Sequence, residues 1–320
     1  MNKGKLKVGI TMGDAAGIGP EIIIKALNDV RIAHSANFVI IGNSRVFEKI
    51  QQLSKMKLMT GKGTVSLLDV GRVSKPIIGR AVAAYGLLAR ECIDLALDLI
   101  KSHQIEVLVT APVNKHTISQ SAGLFRGHTE YLAEATNTTK FAMMLIGGPF
   151  KVVLVTRHIA LKDVANALSS DNIYQTLRLS ALYLKKYFGI DKARIAVCGL
   201  NPHSGDQGVL GEEEAKIIRP AISRARRFAS VEGPLPADSL FYLAAKGQFD
   251  AVCAMYHDQG LIPLKTYAFN QGVNLTLGLP FVRTSPDHGT AYGIAGKNKA
   301  DPGSMIEAIK LAVKIKRRLK

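Results

Sequence analysis

Short apolar runs alternate with amphipathic helical patterns along most of this 320-residue chain, and this alternation limits the folds open to it. The longest helical pattern is Arg80–Ser102. Strands that alternate with helices are typical of an α/β fold with a largely parallel sheet. Gly147-Gly148-Pro149 separates two runs directly and predicts an antiparallel hairpin there. The predicted strands are Lys5–Thr11, Phe38–Gly42, Val65–Leu68, Val107–Thr110, Phe141–Ile146, Val152–Thr156, Arg194–Leu200 and Ala251–Met255.

The chain is strongly basic, with 42 Lys and Arg against 25 Asp and Glu and a net charge of +17. A nucleic-acid-binding protein is therefore one alternative. However, the basic clusters Arg224–Arg227 and Lys314–Lys320 fall within helical patterns and contain no Trp or Tyr for base stacking. We therefore favour solvated helix faces and expect no nucleic-acid partner. A basic field would also attract an anionic substrate.

The cysteines and the chain start bear on localisation. Cys92, Cys198 and Cys253 each lie in an apolar run, without metal-ligand spacing. This pattern predicts buried free thiols in a reducing compartment. The charged segment Met1–Lys7 has no signal-peptide pattern, and no apolar run reaches the length of a membrane span. We expect a cytoplasmic protein with no membrane partner.

A glycine-rich turn, Gly13–Glu21, follows the first predicted strand. Pro20 suits the first position of a helix, and Glu21 suits its positively polarised start. The glycine spacing differs from the dinucleotide-binding fingerprint. Two interpretations remain open: a tight strand–helix turn, or a loop that lines a site with Asp14 as a polar contact.

Three histidines occupy equivalent places, each just beyond a predicted strand: His158 after 152–156, His203 after 194–200, and His257 after 251–255. If these strands are neighbours, the imidazoles meet at one edge of the sheet, where open α/β sheets bind ligands. Three imidazoles would hold a divalent metal and leave positions open for catalysis. Asp258 could orient one of them. The alternative is that each histidine is an ordinary polar loop residue.

Anion-binding residue types cluster in the stretch Ala251–Gly296, namely Lys265, Asn274 and Arg283. Pro263, Pro280 and Pro286 restrict the loops predicted to carry the two cations. Together with His128 and Thr129 at a predicted helix start, they suit a phosphorylated or carboxylated small molecule. The alternative is that Arg283 forms a structural ion pair with Asp287.

These motifs together resemble the 4-hydroxythreonine-4-phosphate dehydrogenase family of vitamin B6 synthesis, over nearly the whole chain. The family in turn resembles the isocitrate and isopropylmalate dehydrogenases, which share the glycine-rich turn and a His-Gly-Ser/Thr-Ala segment beside the nicotinamide cofactor. The matching segments are Gly13–Glu21, Gly127–Glu130, Thr156–His158, Gly199–His203, Gly233–Asp238, Tyr256–Gly260, Gly272–Arg283 and Asp287–Ala291.

The resemblance implies a two-domain α/β fold with an active-site cleft between the domains, completed across a homodimer. Residues 1–140 and 285–320 would form a first domain with cofactor contacts, and residues 141–284 a second with metal and substrate contacts. Each functional residue also takes an implied role. His158, His203 and His257 would bind Zn, Mg or Co; His128, Thr129, Lys265, Asn274 and Arg283 would bind substrate; Asp238 and Lys265 would be catalytic; His288, Gly289 and Thr290 would contact NAD or NADP.

The implied reaction is oxidation of the C3 alcohol of 4-phosphooxy-threonine by NAD, followed by decarboxylation of the 3-oxo acid. Leu261–Leu264 resembles a paralogous branch that oxidises 4-phospho-D-threonate or 4-phospho-D-erythronate. Two further departures from the family pattern are Ala15, where Pro is usual, and Ser204–Gln207 after His203. A metal-dependent lyase or aldolase without nicotinamide is a further alternative, because it could use the same histidines.

Overall fold

The computed structural model describes residues 5–58 and 65–320, so residues 1–4 of the charged start lie outside the described part. Within it, apolar runs form the strands because their side chains are buried in the sheets. The strands are β1 Lys7–Thr11, β2 Asn37–Gly42, β3 Val65–Asp69, β4 Val107–Thr110, β5 Ala142–Gly147, β6 Phe150–Leu154, β7 Arg194–Cys198, β8 Ser230–Leu235, β9 Ala251–Ala254, β10 Val273–Leu277 and β11 Val282–Pro286.

Helices connect most of these strands, as the alternating pattern predicts. They are α1 Gly19–Asn28, α2 Val30–Ala33, α3 Ser44–Ser54, α4 Ala83–Lys101, α5 Lys115–Ala122, α6 His128–Ala135, α7 Val164–Ala167, α8 Ser170–Tyr183, α9 Arg219–Ala225, α10 Ala237–Ala245, α11 His257–Ala268 and α12 Gly303–Arg318. A π-helical turn, Leu184–Phe188, extends α8, and another, Glu214–Ile218, precedes α9. Pro20 does stand in the first turn of α1.

The chain divides into two compact units, of which the first contains residues 1–136 and 279–318. Its sheet has the strand order β3-β2-β1-β4-β11. Every pair in it is parallel. Helix α12 packs against β11 and β4. The end of β4 therefore lies beside the last strand of the chain, which brings residues 110 and 283 together.

The second unit contains residues 137–278. Its sheet has the order β10-β5-β6-β9-β7-β8. Strands β10, β5 and β6 pair antiparallel, which confirms the predicted hairpin. Strands β6, β9, β7 and β8 pair in parallel. The three strands before the histidines are therefore neighbours, as the metal hypothesis requires.

The structure extends and corrects the predicted elements. The α/β class with largely parallel strands is confirmed, and the three cysteines are buried free thiols. Strands β10 and β11 fall where the sequence predicted loops, and β8 was not among the predicted strands. The observed units change at residues 136/137 and 278/279, against predicted domain limits at 140/141 and 284/285. Among the described helices, none is both long and apolar enough to cross a bilayer.

Candidate active site

In the first unit, Arg283 is a buried cation on β11. It is only 2% exposed, and it lies within the strand, not on the loop that the sequence predicted. Its Nε and Nη2 donate hydrogen bonds to Thr110 Oγ1 at 3.1 and 2.6 Å. Burial lowers the pKa of Arg283 to about 10, and the charge of Glu130 partly opposes this shift. A guanidinium kept from water in this way favours an anionic ligand.

His128 begins α6 in the same unit, after Gly127, whose φ of 150° favours glycine. The imidazole Nε2 is closed to solvent and makes no hydrogen bond within the protein. Burial lowers the pKa of His128 well below the usual value of an imidazole, and the charges of Arg283 and Lys115 lower it further. The ring is therefore neutral at pH 7, with one nitrogen available to a ligand. Thr129 follows as a buried residue of α6.

The glycine-rich turn contacts the predicted cofactor segment within the first unit. Ile18 N donates to Thr290 O at 2.9 Å, and a side chain at Gly17 would meet that same carbonyl at 2.8 Å. The Tyr292 hydroxyl donates to Asp14 Oδ2 at 2.6 Å. Burial raises the pKa of Asp14 and raises that of Tyr292 to about 12, to which the bond to Asp14 adds. Asp14 thus holds in place the segment that carries Tyr292. The turn is therefore a tight strand–helix connection in which Asp14 also makes a polar contact.

His288 and Gly289 lie just before Thr290, between β11 and a short 3-10 turn. His288 Nδ1 lies 3.2 Å from Gly289 O. Their contact with a cofactor stays a prediction, since the structure supports only the placement of this segment against the glycine-rich turn.

In the second unit, His158 and His257 lie together at the ends of β6 and β9. Their ring centroids are 5.7 Å apart. Both line a cavity of about 450 Å³ with Arg157, Tyr256 and Asp258. His257 is the first residue of α11, and its Nδ1 lies 2.7 Å from Asp258 Oδ1. This bond fixes the ring and leaves Nε2 for a ligand, as the sequence predicted for Asp258.

His203 opens an unusual turn after β7. Residues 203–207 all have left-handed backbone angles, with φ between 42° and 83°. Such a run is costly for residues other than glycine and is typical of functional sites. Buried Glu214 anchors its start, because its carboxylate accepts hydrogen bonds from Leu200 N and Asn201 N, both at 2.8 Å.

The donor chemistry of this unit fits a divalent metal for two of the three predicted ligands. The two imidazoles have ring centroids 5.7 Å apart and tilted planes, and a carboxylate orients one of them, so they suit a shared ion. The third, His203, does not complete a set, because no group of three or more His, Cys, Asp or Glu side chains in residues 5–58 and 65–320 could hold an ion. The three-histidine assignment stays a prediction.

The remaining predicted residues lie on other elements of the second unit. Lys265 lies in α11, with Pro263 inside that helix, so the predicted proline-restricted loop is wrong. Its Nζ lies 5.7 Å from the centre of the Phe269 ring. Asn274 lies on β10, with Oδ1 closed to solvent and without a hydrogen bond. Asp238 is an exposed residue in the first turn of α10, and its Oδ1 accepts a hydrogen bond from Ser239 N at 2.9 Å.

Sequence reasoning missed several residues that hold these groups in place. Thr110 bonds Arg283, and Glu214 anchors the turn of His203. Gln259 bonds the backbone of two strand ends. Thr110 did carry a signal, because it is the polar last residue of a buried strand, next to a predicted ligand edge.

The fold is of the α/β class, and comparison with known proteins identifies the family of the chain. The family model for "Pyridoxal phosphate biosynthetic protein PdxA" matches residues 33–312, so the chain belongs to that family. The 4-hydroxythreonine-4-phosphate dehydrogenase of Desulfosudis oleivorans is 43% identical over 96% of this chain and 95% of its own. The D-threonate 4-phosphate dehydrogenase of Cupriavidus necator is 42% identical over 95% of each chain. The chain is therefore an oxidoreductase of this family.

Solved structures agree with this assignment. The 4-hydroxythreonine-4-phosphate dehydrogenase of Klebsiella pneumoniae has a TM-score of 0.86 at 37% identity, over 98% of this chain and 99% of that one. The isocitrate dehydrogenase of Methylococcus capsulatus has a TM-score of 0.52 at 14% identity, over 98% of this chain and 86% of that one, and shows the fold alone. The predicted isocitrate dehydrogenase-like fold is confirmed, whereas the active-site cleft stays a prediction.

Proposed function

We propose that this protein oxidises the C3 alcohol of 4-phosphooxy-threonine with NAD, after which the 3-oxo acid loses carbon dioxide. In that reaction C3 gives a hydride to NAD, and the hydroxyl gives up a proton. The observation that carries the proposal is the buried Arg283 together with a neutral imidazole of His128, whose Nε2 is closed to solvent. Such a pair suits the phosphate of a small substrate, because it offers a charged fork and a neutral polar nitrogen.

The energetics support an anion at Arg283. Burying a guanidinium costs several kcal/mol unless charge or hydrogen bonds compensate. Thr110 accepts two of its N–H bonds, and burial lowers the pKa of Arg283 to about 10. A phosphate would stabilise the same cation, so substrate binding and charge compensation coincide. Thr129, Lys265 and Asn274 would add further polar contacts to the substrate.

The second unit would supply the groups that act on the alcohol. His158, His203 and His257 would hold a divalent ion (Zn, Mg or Co) with His257 binding through Nε2 because Asp258 occupies Nδ1. A divalent ion, when bound, supplies Lewis acidity that lowers the pKa of an alcohol and stabilises negative oxygen. Asp238 and Lys265 would serve as the proton-transferring residues.

We infer the cofactor and the assembly from the resemblance to the family. His288, Gly289 and Thr290 would contact NAD or NADP, on a segment that the glycine-rich turn holds in place. We also propose a cytoplasmic homodimer, in which the partner subunit completes the site, with pyridoxal phosphate biosynthesis as the pathway.

A second substrate is favoured by a specific observation. A relative named D-threonate 4-phosphate dehydrogenase is 42% identical, against 43% for one named 4-hydroxythreonine-4-phosphate dehydrogenase. 4-Phospho-D-threonate or 4-phospho-D-erythronate would place a hydroxyl where the first substrate has an amine. The phosphate and metal contacts would be the same.

The test measures NAD reduction with 4-phosphooxy-threonine and 4-phospho-D-threonate side by side, with and without added divalent metal. We expect metal-dependent NADH formation with one substrate at a kcat/KM well above the other, and carbon dioxide release with it. Turnover of a phosphorylated substrate without NAD would favour the lyase or aldolase alternative. Absence of NADH with both substrates would overturn the proposed reaction.

A further inference from the structure

Two side chains connect the three histidine-bearing strand ends, beyond the last paired residues of the sheet. Thr156, two residues before His158, is 7% exposed. Its Oγ1 donates to Met255 O at 2.7 Å, and its backbone N donates to the same oxygen at 3.1 Å. The end of β6 is thereby fixed to the end of β9, two residues before His257.

Gln259 makes the second connection, from the first turn of α11. Its Oε1 accepts a hydrogen bond from Met255 N at 2.7 Å. Its Nε2 donates to Gly199 O at 2.7 Å, four residues before His203. One amide side chain thus joins the end of β9 to the end of β7. Both polar atoms of that amide are used by backbone groups, so the side chain has a single orientation.

Met255 is the common point of these bonds, because its carbonyl oxygen and its N–H are both taken by side chains from flanking segments. The last paired residues, Leu154 with Ala254 and Val197 with Cys253, lie before this point. Beyond them, backbone bonds from Val155 N to Ala254 O and from Thr156 N to Met255 O still join β6 to β9. The side chains of Thr156 and Gln259 add bonds at residues 156, 255 and 199, two to four residues before the histidines.

We propose that Thr156 and Gln259 are positioning residues, which hold the ends of β6, β9 and β7 together so that His158 and His257, the two histidines that lie close in the structure, can share one metal ion. This inference rests on the proposed metal role of those histidines. Metal–nitrogen distances of about 2.0–2.1 Å tolerate little displacement of a ligand. Residues that orient metal ligands change metal affinity about 10–100-fold when they are lost.

Two substitutions of the full-length protein test the connections separately. Thr156→Val keeps the shape and the backbone bond but removes the hydroxyl. Gln259→Glu keeps the acceptor for Met255 N but places a carboxylate oxygen against Gly199 O. The matched control is Thr176→Val, because Thr176 is 8% exposed and its Oγ1 donates to Asn172 O at 2.8 Å within α8.

The readouts are Co²⁺ affinity, from visible absorption during titration of metal-free protein, and the melting temperature of the metal-free protein. We expect Co²⁺ affinity to fall about 10–100-fold in Thr156→Val and Gln259→Glu and to stay within about twofold in Thr176→Val. The two valine variants should lose similar thermal stability, because each loses one buried hydrogen bond. Thr156→Ser, which restores the hydroxyl, should recover the parent affinity.

The outcomes separate the two proposals. Parent-like Co²⁺ affinity in folded Thr156→Val and Gln259→Glu would overturn the positioning role and leave the metal assignment intact. Equal loss of affinity in Thr176→Val would also overturn it, because the effect would then be one of general stability. If Gln259→Glu does not fold, the isosteric neutral variant Gln259→Met takes its place. Co²⁺ binding in the parent that is unchanged by His257→Ala would overturn the metal assignment itself, and this inference with it.

Discussion

In the first unit the candidate anion-binding groups are buried and bonded to their neighbours, whereas in the second unit the candidate metal ligands stand exposed at strand ends. Arg283 is 2% exposed, while the His257 side chain is 38% exposed. Packing therefore fixes Arg283, and loss of water shifts its pKa. The positions of the three histidines depend instead on hydrogen bonds to the backbone of the strand ends and, for His203, on one left-handed turn. The candidate anion-binding groups are therefore held in place by packing, whereas the candidate metal ligands are held by bonds at the strand ends that precede them.

The largest expected effect follows removal of a predicted metal ligand from the exposed region. His203→Asn deletes the imidazole while keeping a residue that tolerates the φ of 52° at this position. We expect kcat to fall on the order of 10³-fold, because a Lewis acid contributes several kcal/mol to such a reaction. The melting temperature should change little, since His203 is exposed. Steady-state assay and metal analysis of the purified variant measure both.

Asp206→Asn, in the same left-handed turn at φ 42°, is the control and should keep activity within about twofold. Full turnover of His203→Asn with full metal occupancy would show that the exposed region does not carry the metal chemistry.

Arg283→Lys tests the buried region, with a somewhat smaller expected effect. Lysine keeps the charge but loses the planar fork and the paired bonds to Thr110. We expect KM for the phosphorylated substrate to rise about 10–100-fold, from the loss of about 1.5–3 kcal/mol. KM for NAD should stay nearly constant. The control Arg194→Lys, in an exposed ion pair with Asp250, should change neither constant. A rise in KM for NAD alone would contradict the phosphate assignment.

Thr110→Val addresses the residue that orients Arg283. Its loss leaves the cation in place but removes the acceptor of two N–H bonds. We expect KM to rise about 2–10-fold with little change in kcat, consistent with about 0.5–1.5 kcal/mol per hydrogen bond. Thr110→Ser should restore the parent value.

Thr284→Val is the matched control for Thr110→Val. Thr284 is fully buried on the same sheet, and its Oγ1 donates to Ala308 O at 2.8 Å. It should lose stability without a change in KM. A similar rise of KM in both variants would mean that Thr110 acts on stability alone.

The same contrast between regions explains what the sequence could and could not predict. Strands β6, β7 and β9 are short apolar runs, so the sequence identified them and the histidines that follow. Strands β10 and β11 were taken for loops because Asn274 and Arg283 interrupt their apolar pattern, with Gly and Pro nearby. Sequence alone predicts an exposed position for an arginine, because arginine is rarely buried without a partner and the partner is not visible in the sequence.

Contacts between distant residues were beyond sequence reasoning. Arg283 and Thr110 are 173 residues apart, and Gln259 and Gly199 are 60 apart. Local propensity gives no information on such pairs; only the order of strands in the sheet brings them together. The helix at Lys265 was missed for another reason, because Pro263 normally signals a break and here lies inside α11.

The smallest expected effect is on the pH dependence of the free energy of unfolding. It tests most directly whether the first unit, unlike the exposed histidine region, keeps water away from its ionisable groups. The pKa of folded His128 lies well below its unfolded value, so at mildly acidic pH only the unfolded chain takes up this proton. Stability that is present above the unfolded pKa is therefore lost as pH falls below about 6.5, by at most about 1.4 kcal/mol per pH unit for one proton. His128→Gln removes this titration, so the free energy of unfolding measured with urea between pH 7.5 and 5.5 should fall less steeply than in the parent. Thr129→Ser, in the same helix, should change the level of that curve without its slope. Parallel curves for parent and His128→Gln would show that His128 is not held neutral, and the contrast between a desolvated anion site and exposed metal ligands would lose its electrostatic basis.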